Sequence, residues 1–189
     1  VSILLNSCSA AKGNLFDYNG DRKTDYSVFR PSTTQYFIQT LNQFGAAKVL
    51  GRPNDVLVPA DFNGDRKTDF AYYRPESGLW VVQENSFGFG RPIYFLQFGL
   101  PEDIPMPADY DGDGKADLAV FRPSEGNWYI RRSTDNALQT IRFGSVGDKP
   151  VAADFDGDTI ADIAVYRPST GVWYIQKSNY NYGFDEFIS

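Results

Sequence analysis

Short apolar runs rich in β-branched and aromatic residues recur along the chain, each stopped by Pro, Gly, Asn or Asp, and such runs predict strands rather than helices. They come in a constant order. A first run leads into an acidic stretch, as VPADF from Val58, MPADY from Met106 and VAADF from Val151. A second leaves that stretch as YSVFR, FAYYR, LAVFR or IAVYR, and the Pro that follows lacks the N–H needed to extend a ladder. A third, QYFIQ, LWVVQ, NWYIR or VWYIQ, is reached through turns of the type PSEGN or PSTGV. A fourth ends at Phe-Gly, in Phe44-Gly45, Phe98-Gly99 and Phe143-Gly144.

The order repeats four times, so the unit of organisation is a four-stranded repeat. Its landmark is a nine-residue acidic loop: DYNGDRKTD from Asp17, DFNGDRKTD from Asp61, DYDGDGKAD from Asp109 and DFDGDTIAD from Asp154, with starts 44, 48 and 45 residues apart. Thirteen residues after each start stands an arginine (Arg30, Arg74, Arg122, Arg167), and nineteen after it an aromatic (Tyr36, Trp80, Trp128, Trp173). The repeats cover 14–45, 58–99, 106–144 and 151–189 of one repeat domain, and residues 1–7 read as an additional N-terminal strand. A unit of this length buries its apolar face only against its neighbours, so the aromatics are expected to pack between repeats. The arginines are expected to pair with carboxylates of the loops or of adjacent repeats.

Loop chemistry follows from the spacing. Side-chain oxygens at positions one, three, five and nine, with the backbone carbonyl of position seven, supply the converging oxygens that a hard cation such as Ca²⁺ takes. The candidate ligands are Asp17, Asn19, Asp21, Lys23 (carbonyl) and Asp25 in the first loop, and Asp61, Asn63, Asp65, Lys67 (carbonyl) and Asp69 in the second. In the third and fourth loops they are Asp109, Asp111, Asp113, Lys115 (carbonyl) and Asp117, then Asp154, Asp156, Asp158, Ile160 (carbonyl) and Asp162. Mg²⁺ fits less well because it keeps more water and fewer protein ligands. Only the third loop has Gly, Gly114, at the sixth position.

Composition narrows the function classes. The net charge is −6, and 14 of the 24 acidic residues sit in the four loops, so four divalent ions would carry the chain to +2. The acidity therefore points to cations, and no basic stripe points to nucleic acid. There is no histidine and one cysteine, Cys8, which excludes an internal disulfide, the usual Cys/His zinc sites and imidazole-based catalysis. Carboxylates committed to a cation stay ionised and are poor general acids, so the expectation is a protein that is not an enzyme. No run of residues approaches the length of a membrane span.

Phe-Gly, a short linker, Pro-Ala or a near equivalent, and then D-x-[DN]-G-D-x-x-x-D together resemble the FG-GAP/VCBS repeat family, found in integrin-like heads and secreted bacterial proteins. The resemblance implies an all-β protein in which each repeat is one four-stranded blade of a four-bladed β-propeller, with about four Ca²⁺ held by the loops. It implies a secreted bacterial protein, extracellular or at the cell surface, that serves as a non-catalytic binding or adhesion module for a protein or glycan ligand. Two alternatives are a structural subunit of an extracellular filament and a multivalent glycan-binding lectin. Val1 to Leu5 (VSILL) align with the fourth strand IYFLQ, so this segment either closes the ring or self-associates by pairing with a neighbouring subunit. Phe87, Phe89, Tyr180 and Tyr182, in Gly-containing or polar stretches, are candidates for exposed contact surface.

Overall fold

The computed structural model describes residues 16–30, 32–40, 43–49, 51–85, 93–180 and 185–188. The runs of the repeat fold as antiparallel meanders, giving four sheets. The first contains β1 (Tyr26–Arg30), β2 (Gln35–Thr40) and β3 (Gln43–Val49), and the second β4 (Val56–Leu57), β5 (Phe70–Arg74), β6 (Leu79–Gln83) and β7 (Ile93–Gln97). The third contains β8 (Ile104–Pro105), β9 (Leu118–Arg122), β10 (Asn127–Arg131) and β11 (Leu138–Arg142), and the fourth β12 (Lys149–Ala153), β13 (Asp162–Arg167), β14 (Val172–Gln176) and β15 (Asp185–Ile188). The protein is all-β as expected, with a single 3₁₀ turn at Ser178–Tyr180 and no α-helix among the described residues. Accordingly no helix among the described residues is long and apolar enough to cross a membrane.

Sheets two to four have the expected four strands, whereas the first shows three among the described residues. The residues where its leading strand is expected, and those of the expected strand at 1–7, lie outside the described residues, as do Phe87, Phe89 and Tyr182. The fourth place of the last sheet is taken by the C-terminal β15, which pairs with β14 through Trp173–Ile188 to Gln176–Asp185. One landmark moves. Phe44-Gly45 does not end the first repeat's fourth strand but opens β3, because Phe44 pairs with Gln39 and Ala46 with Ile38, leaving Gly45 as the extra residue of a β-bulge. The counterpart of Gly99 and Gly144 is Gly51. Each stands four residues before an Asp (Asp55, Asp103, Asp148), and φ is 76°, 109° and 137° in chain order. The first repeat therefore runs past residue 45.

The described residues up to Pro101 form one compact unit and those from Glu102 onward another. In the first unit Phe16, Tyr18, Phe29, Tyr36 and Ile38 pack with Phe70, Tyr72 and Val81. Tyr18 stacks on Phe70 with ring centroids 5.2 Å apart, and Tyr36 meets the same ring edge-on at 5.7 Å. These rings lock sheet one to sheet two. In the second unit Ala108, Phe121, Trp128, Ile130 and Phe143 of repeat three join Ala152, Ala161, Ile163 and Val165 of repeat four. The small alanines there let backbones approach while the aromatics supply the buried area.

The repeated aromatics behave as packing residues in three repeats. Tyr36, Trp80 and Trp128 are buried, and the indole N–H groups of Trp80 and Trp128 donate to the carbonyls of Phe98 and Phe143. Trp173 departs from the pattern, with 37% of its surface exposed. The arginines pair with carboxylates in three repeats, but not with those of the acidic loops or of an adjacent repeat as expected: Arg74 pairs with Asp55, Arg122 with Asp103 and Arg167 with Asp148, each acid standing just before the leading strand of its own repeat and accepting two parallel hydrogen bonds. Each guanidinium lies over a tyrosine, Tyr72, Tyr129 or Tyr174, at 4.4 to 5.5 Å from the ring centre. The Asp stands nineteen residues before its arginine, and in the first repeat that place falls to Ala11, which has no carboxylate to offer. Arg30 lies over Phe37 instead.

Candidate metal centre

Each acidic loop connects the leading run of its repeat to the next strand, and its side-chain oxygens organise its own backbone. The first Asp of every loop receives the N–H groups of the fourth and the sixth residues, and Asp17 also that of the fifth, Asp21, at 3.2 Å. For Asp17, Asp61, Asp109 and Asp154 the bonds from the fourth and sixth residues are 2.6 to 2.9 Å long. Third-position oxygens accept from the fifth-position N–H, at 2.7 and 2.8 Å for Asn19 and Asn63 but 3.3 and 3.2 Å for Asp111 and Asp156. Fifth-position Asp21, Asp65, Asp113 and Asp158 accept from the N–H of Lys23, Lys67, Lys115 and Ile160 at 2.8 to 2.9 Å. The loop is thus wound around its own acids.

Winding requires left-handed backbone at positions four and six. Position four is Gly throughout, with φ from 79° to 85°. Position six is Gly only in the third loop, yet Arg22, Arg66 and Thr159 adopt φ of 65°, 66° and 77° there. The missing glycine therefore does not change the turn. Such residues hold an unfavourable conformation of order 1 kcal/mol or more, which persists only because the carboxylate bonds over-determine it.

The ninth-position Asp anchors the loop to the sheet. Asp25, Asp69, Asp117 and Asp162 each accept the N–H of the loop's second residue (Tyr18, Phe62, Tyr110, Phe155) at 2.8 to 2.9 Å. The other oxygen of the last three accepts the N–H of Asn85, Ser133 or Ser178 at 2.7 Å. All four ninth-position acids are buried. Burial pushes Asp69 up to about 7, aided by the negative charges of Asp61 and Asp65, although the backbone N–H groups of Asn85 and Phe62 work against it. Burial likewise pushes Asp117 up to about 7, with Asp111 and Asp109 adding repulsion. Asp25, Asp61, Asp109 and Asp162 are raised for the same first cause. Buried carboxylates crowded by like charges are stabilised by a cation among them.

In the third loop one oxygen each of Asp109, Asp111 and Asp117 lie within 4.8 Å of one another, and in the fourth loop the same holds for Asp154, Asp156 and Asp162. These two clusters can hold a metal ion, and an all-oxygen donor set suits a hard cation. Asp113 and Asp158 stand outside the clusters. They and the third-position acids are held by side chains that the spacing argument overlooked. Ser133 and Thr134 donate to Asp113 and Asp111 at 2.7 and 2.6 Å, and Ser178 and Asn179 donate to Asp158 and Asp156 at 2.8 and 2.5 Å. Their signal was a polar pair sixteen and seventeen residues after the ninth-position Asp. Loops one and two carry Asn at position three, and Asn19 donates its amide to Asp25 at 3.0 Å.

Consecutive loops touch within each unit. The Thr68 N–H donates to the Asp17 carbonyl and the Ala161 N–H to the Asp109 carbonyl, both at 2.7 Å. In the second unit a cleft of about 380 Å³ opens beside the third loop, lined by Tyr110, Asp111, Arg132, Leu138, Gln139 and Ser178 among others.

A family model for the FG-GAP-like repeat matches residues 61–120 and 109–165, more than half of the chain. The chain belongs to the FG-GAP-like repeat family. Searches of curated proteins and of solved structures found no match.

Proposed function

We propose that the chain is a Ca²⁺-stabilised four-bladed β-propeller that works outside the cell as a non-catalytic binding or adhesion module. The observation that carries this reading is the recurrence of one loop geometry in all four repeats, with buried acids at the ninth position, together with the converging carboxylate oxygens of loops three and four. Each ion would be held by the first-, third-, fifth- and ninth-position side chains and the seventh-position carbonyl, from Asp17 to Asp25, Asp61 to Asp69, Asp109 to Asp117 and Asp154 to Asp162. The ions hold the loops, and the loops hold the turns between strands; the ligand, protein or glycan, meets the surface that results. Ca²⁺ is plentiful outside cells, which supports the location. Calorimetric titration of the metal-free chain with Ca²⁺ tests the reading. It predicts close to four ions, one per loop. Uptake of fewer than two ions, or small-angle scattering from an extended string of sheets instead of a closed disc, overturns it.

A second reading, a filament subunit joined by terminal-strand exchange, draws on one observation. β15 already pairs with β14 in the last sheet, so the place that would let Val1 to Leu5 complete that sheet is taken. Light scattering of the chain with and without residues 1–7 decides: loss of self-association on deletion supports exchange, and a monomer in both forms removes it.

A further inference from the structure

Two links join the loops of the first unit. The first is a peptide group. The N–H of Thr68 that donates to the Asp17 carbonyl at 2.7 Å belongs to the same peptide plane as the carbonyl of Lys67, the seventh-position oxygen of the second loop. An ion on that carbonyl draws electron density through the conjugated plane and makes the N–H a stronger donor to the first loop. In the second unit the peptide between Ile160 and Ala161 stands in the same relation to Asp109, with the Ala161 N–H donating at 2.7 Å.

The second link involves Asn85. Its backbone N–H donates to Oδ1 of Asp69, the ninth residue of loop two, at 2.7 Å, and its side-chain amide donates to the Tyr18 carbonyl of loop one at 2.5 Å. Tyr18 in turn gives its N–H to Oδ2 of Asp25, the ninth residue of loop one, at 2.9 Å. Asp69, Asn85, Tyr18 and Asp25 are therefore linked in series, by hydrogen bonds and through the covalent frames of Asn85 and Tyr18, from one ninth-position anchor to the other. In the second unit Ser178 has the place of Asn85, and its hydroxyl goes to Asp158 of its own loop, so that series stops within the loop.

We propose that the two cation loops of the first unit bind their ions cooperatively, and that Asn85 is the positioning residue that transmits occupancy between them. This rests on the Ca²⁺ reading of the loops. An ion in loop two fixes Asp69, which fixes Asn85, which holds the Tyr18 carbonyl and so positions the residue whose N–H closes loop one on Asp25. The reverse holds by thermodynamic reciprocity.

The test titrates the whole chain with Ca²⁺ in a D111A/D156A background, in which loops three and four are disabled and heat reports loops one and two. Expected is a second ion that binds about fivefold or more tightly than the first, the lower end of ordinary coupling. Replacing the exposed ligand Asp65 (D65A), which disables loop two, weakens loop one by the same factor, and N85A brings the two loops to within about twofold of independence. Loop one affinity unchanged by D65A overturns the coupling while leaving Ca²⁺ binding intact. Absence of any Ca²⁺ heat overturns the underlying reading as well. Should N85A fail to fold by circular dichroism, the D65A comparison decides without it, because Asp65 is exposed and tied only within its own loop.

Discussion

The loops of the two units share a backbone and differ in charge. DYNGDRKTD and DFNGDRKTD each set three acids against two bases, a net of −1, whereas DYDGDGKAD and DFDGDTIAD carry −3 and −4. The first unit neutralises part of its loop charge with asparagine and its own basic residues. In the second unit the like charges are left facing one another, and hydroxyl and amide donors from the following segment hold the acids in place. One turn geometry thus accommodates two electrostatic solutions, of which the second leaves more like charge for a cation to offset.

The largest test of that contrast is removal of divalent ions. A site kept at a hundredfold its dissociation constant contributes about 2.7 kcal/mol, so stripping the ions should lower the melting temperature by roughly 10 °C or more. Hydrogen exchange read by mass spectrometry should place the greater loss of protection after Glu102, and equal losses in both units would break the contrast. Acidity comes next. Without ions, the raised Asp69 and Asp117 bind protons more tightly folded than unfolded, so their full contribution is present below about pH 4 and is lost as the pH rises through about 7. Stability of the ion-free chain should fall across that window in denaturant titrations. With saturating Ca²⁺ the trend reverses, because protons then compete with the ion.

A smaller effect sharpens the comparison from the other side. Asn63→Asp gives loop two the third-position acid of loop three, and should raise its Ca²⁺ affinity about tenfold, roughly 1.4 kcal/mol. The same change should cost the ion-free protein stability, which urea unfolding with and without chelator would separate. An unchanged affinity would mean that charge at the third position is not what distinguishes the units. Smallest is Thr159→Gly, expected to stabilise by about 1 kcal/mol, because a β-branched residue sits at φ 77° where Gly rests easily. Arg66→Gly at φ 66° should yield less, since Arg is not β-branched.

Much of this architecture is visible in the chain because each repeat states its elements in the same register. The second and third strands match almost to the residue: FAYYR is β5, LWVVQ is β6, LAVFR is β9 and NWYIR is β10. Leading strands were harder to place. VPADF suggests a strand through the residues next to the loop, but β4 covers only Val56–Leu57, because Ala60 makes an isolated bridge to Asp69 as the backbone turns toward the loop. Phe44-Gly45 misled because a bulge produces the same dipeptide as a strand end. Ser133, Thr134, Ser178 and Asn179 were invisible to ligand spacing, since they act on the acids from another turn and only the fold brings them there. Trp173 has the register of a buried aromatic, but register alone does not say what covers it.

The arginine–aspartate pairs have a bearing on reversibility. Asp55 precedes β4 and Arg74 ends β5, so their two hydrogen bonds close the hairpin at the end opposite its acidic turn, as Asp103 with Arg122 and Asp148 with Arg167 do in the later repeats. A hairpin fastened at its open mouth keeps its two arms together while the turn empties. On the Ca²⁺ reading, ions would then leave and return without the chain having to find its register again, and the repeat with Ala11 in place of the aspartate is the one whose sequence does not supply this fastening at the matching position.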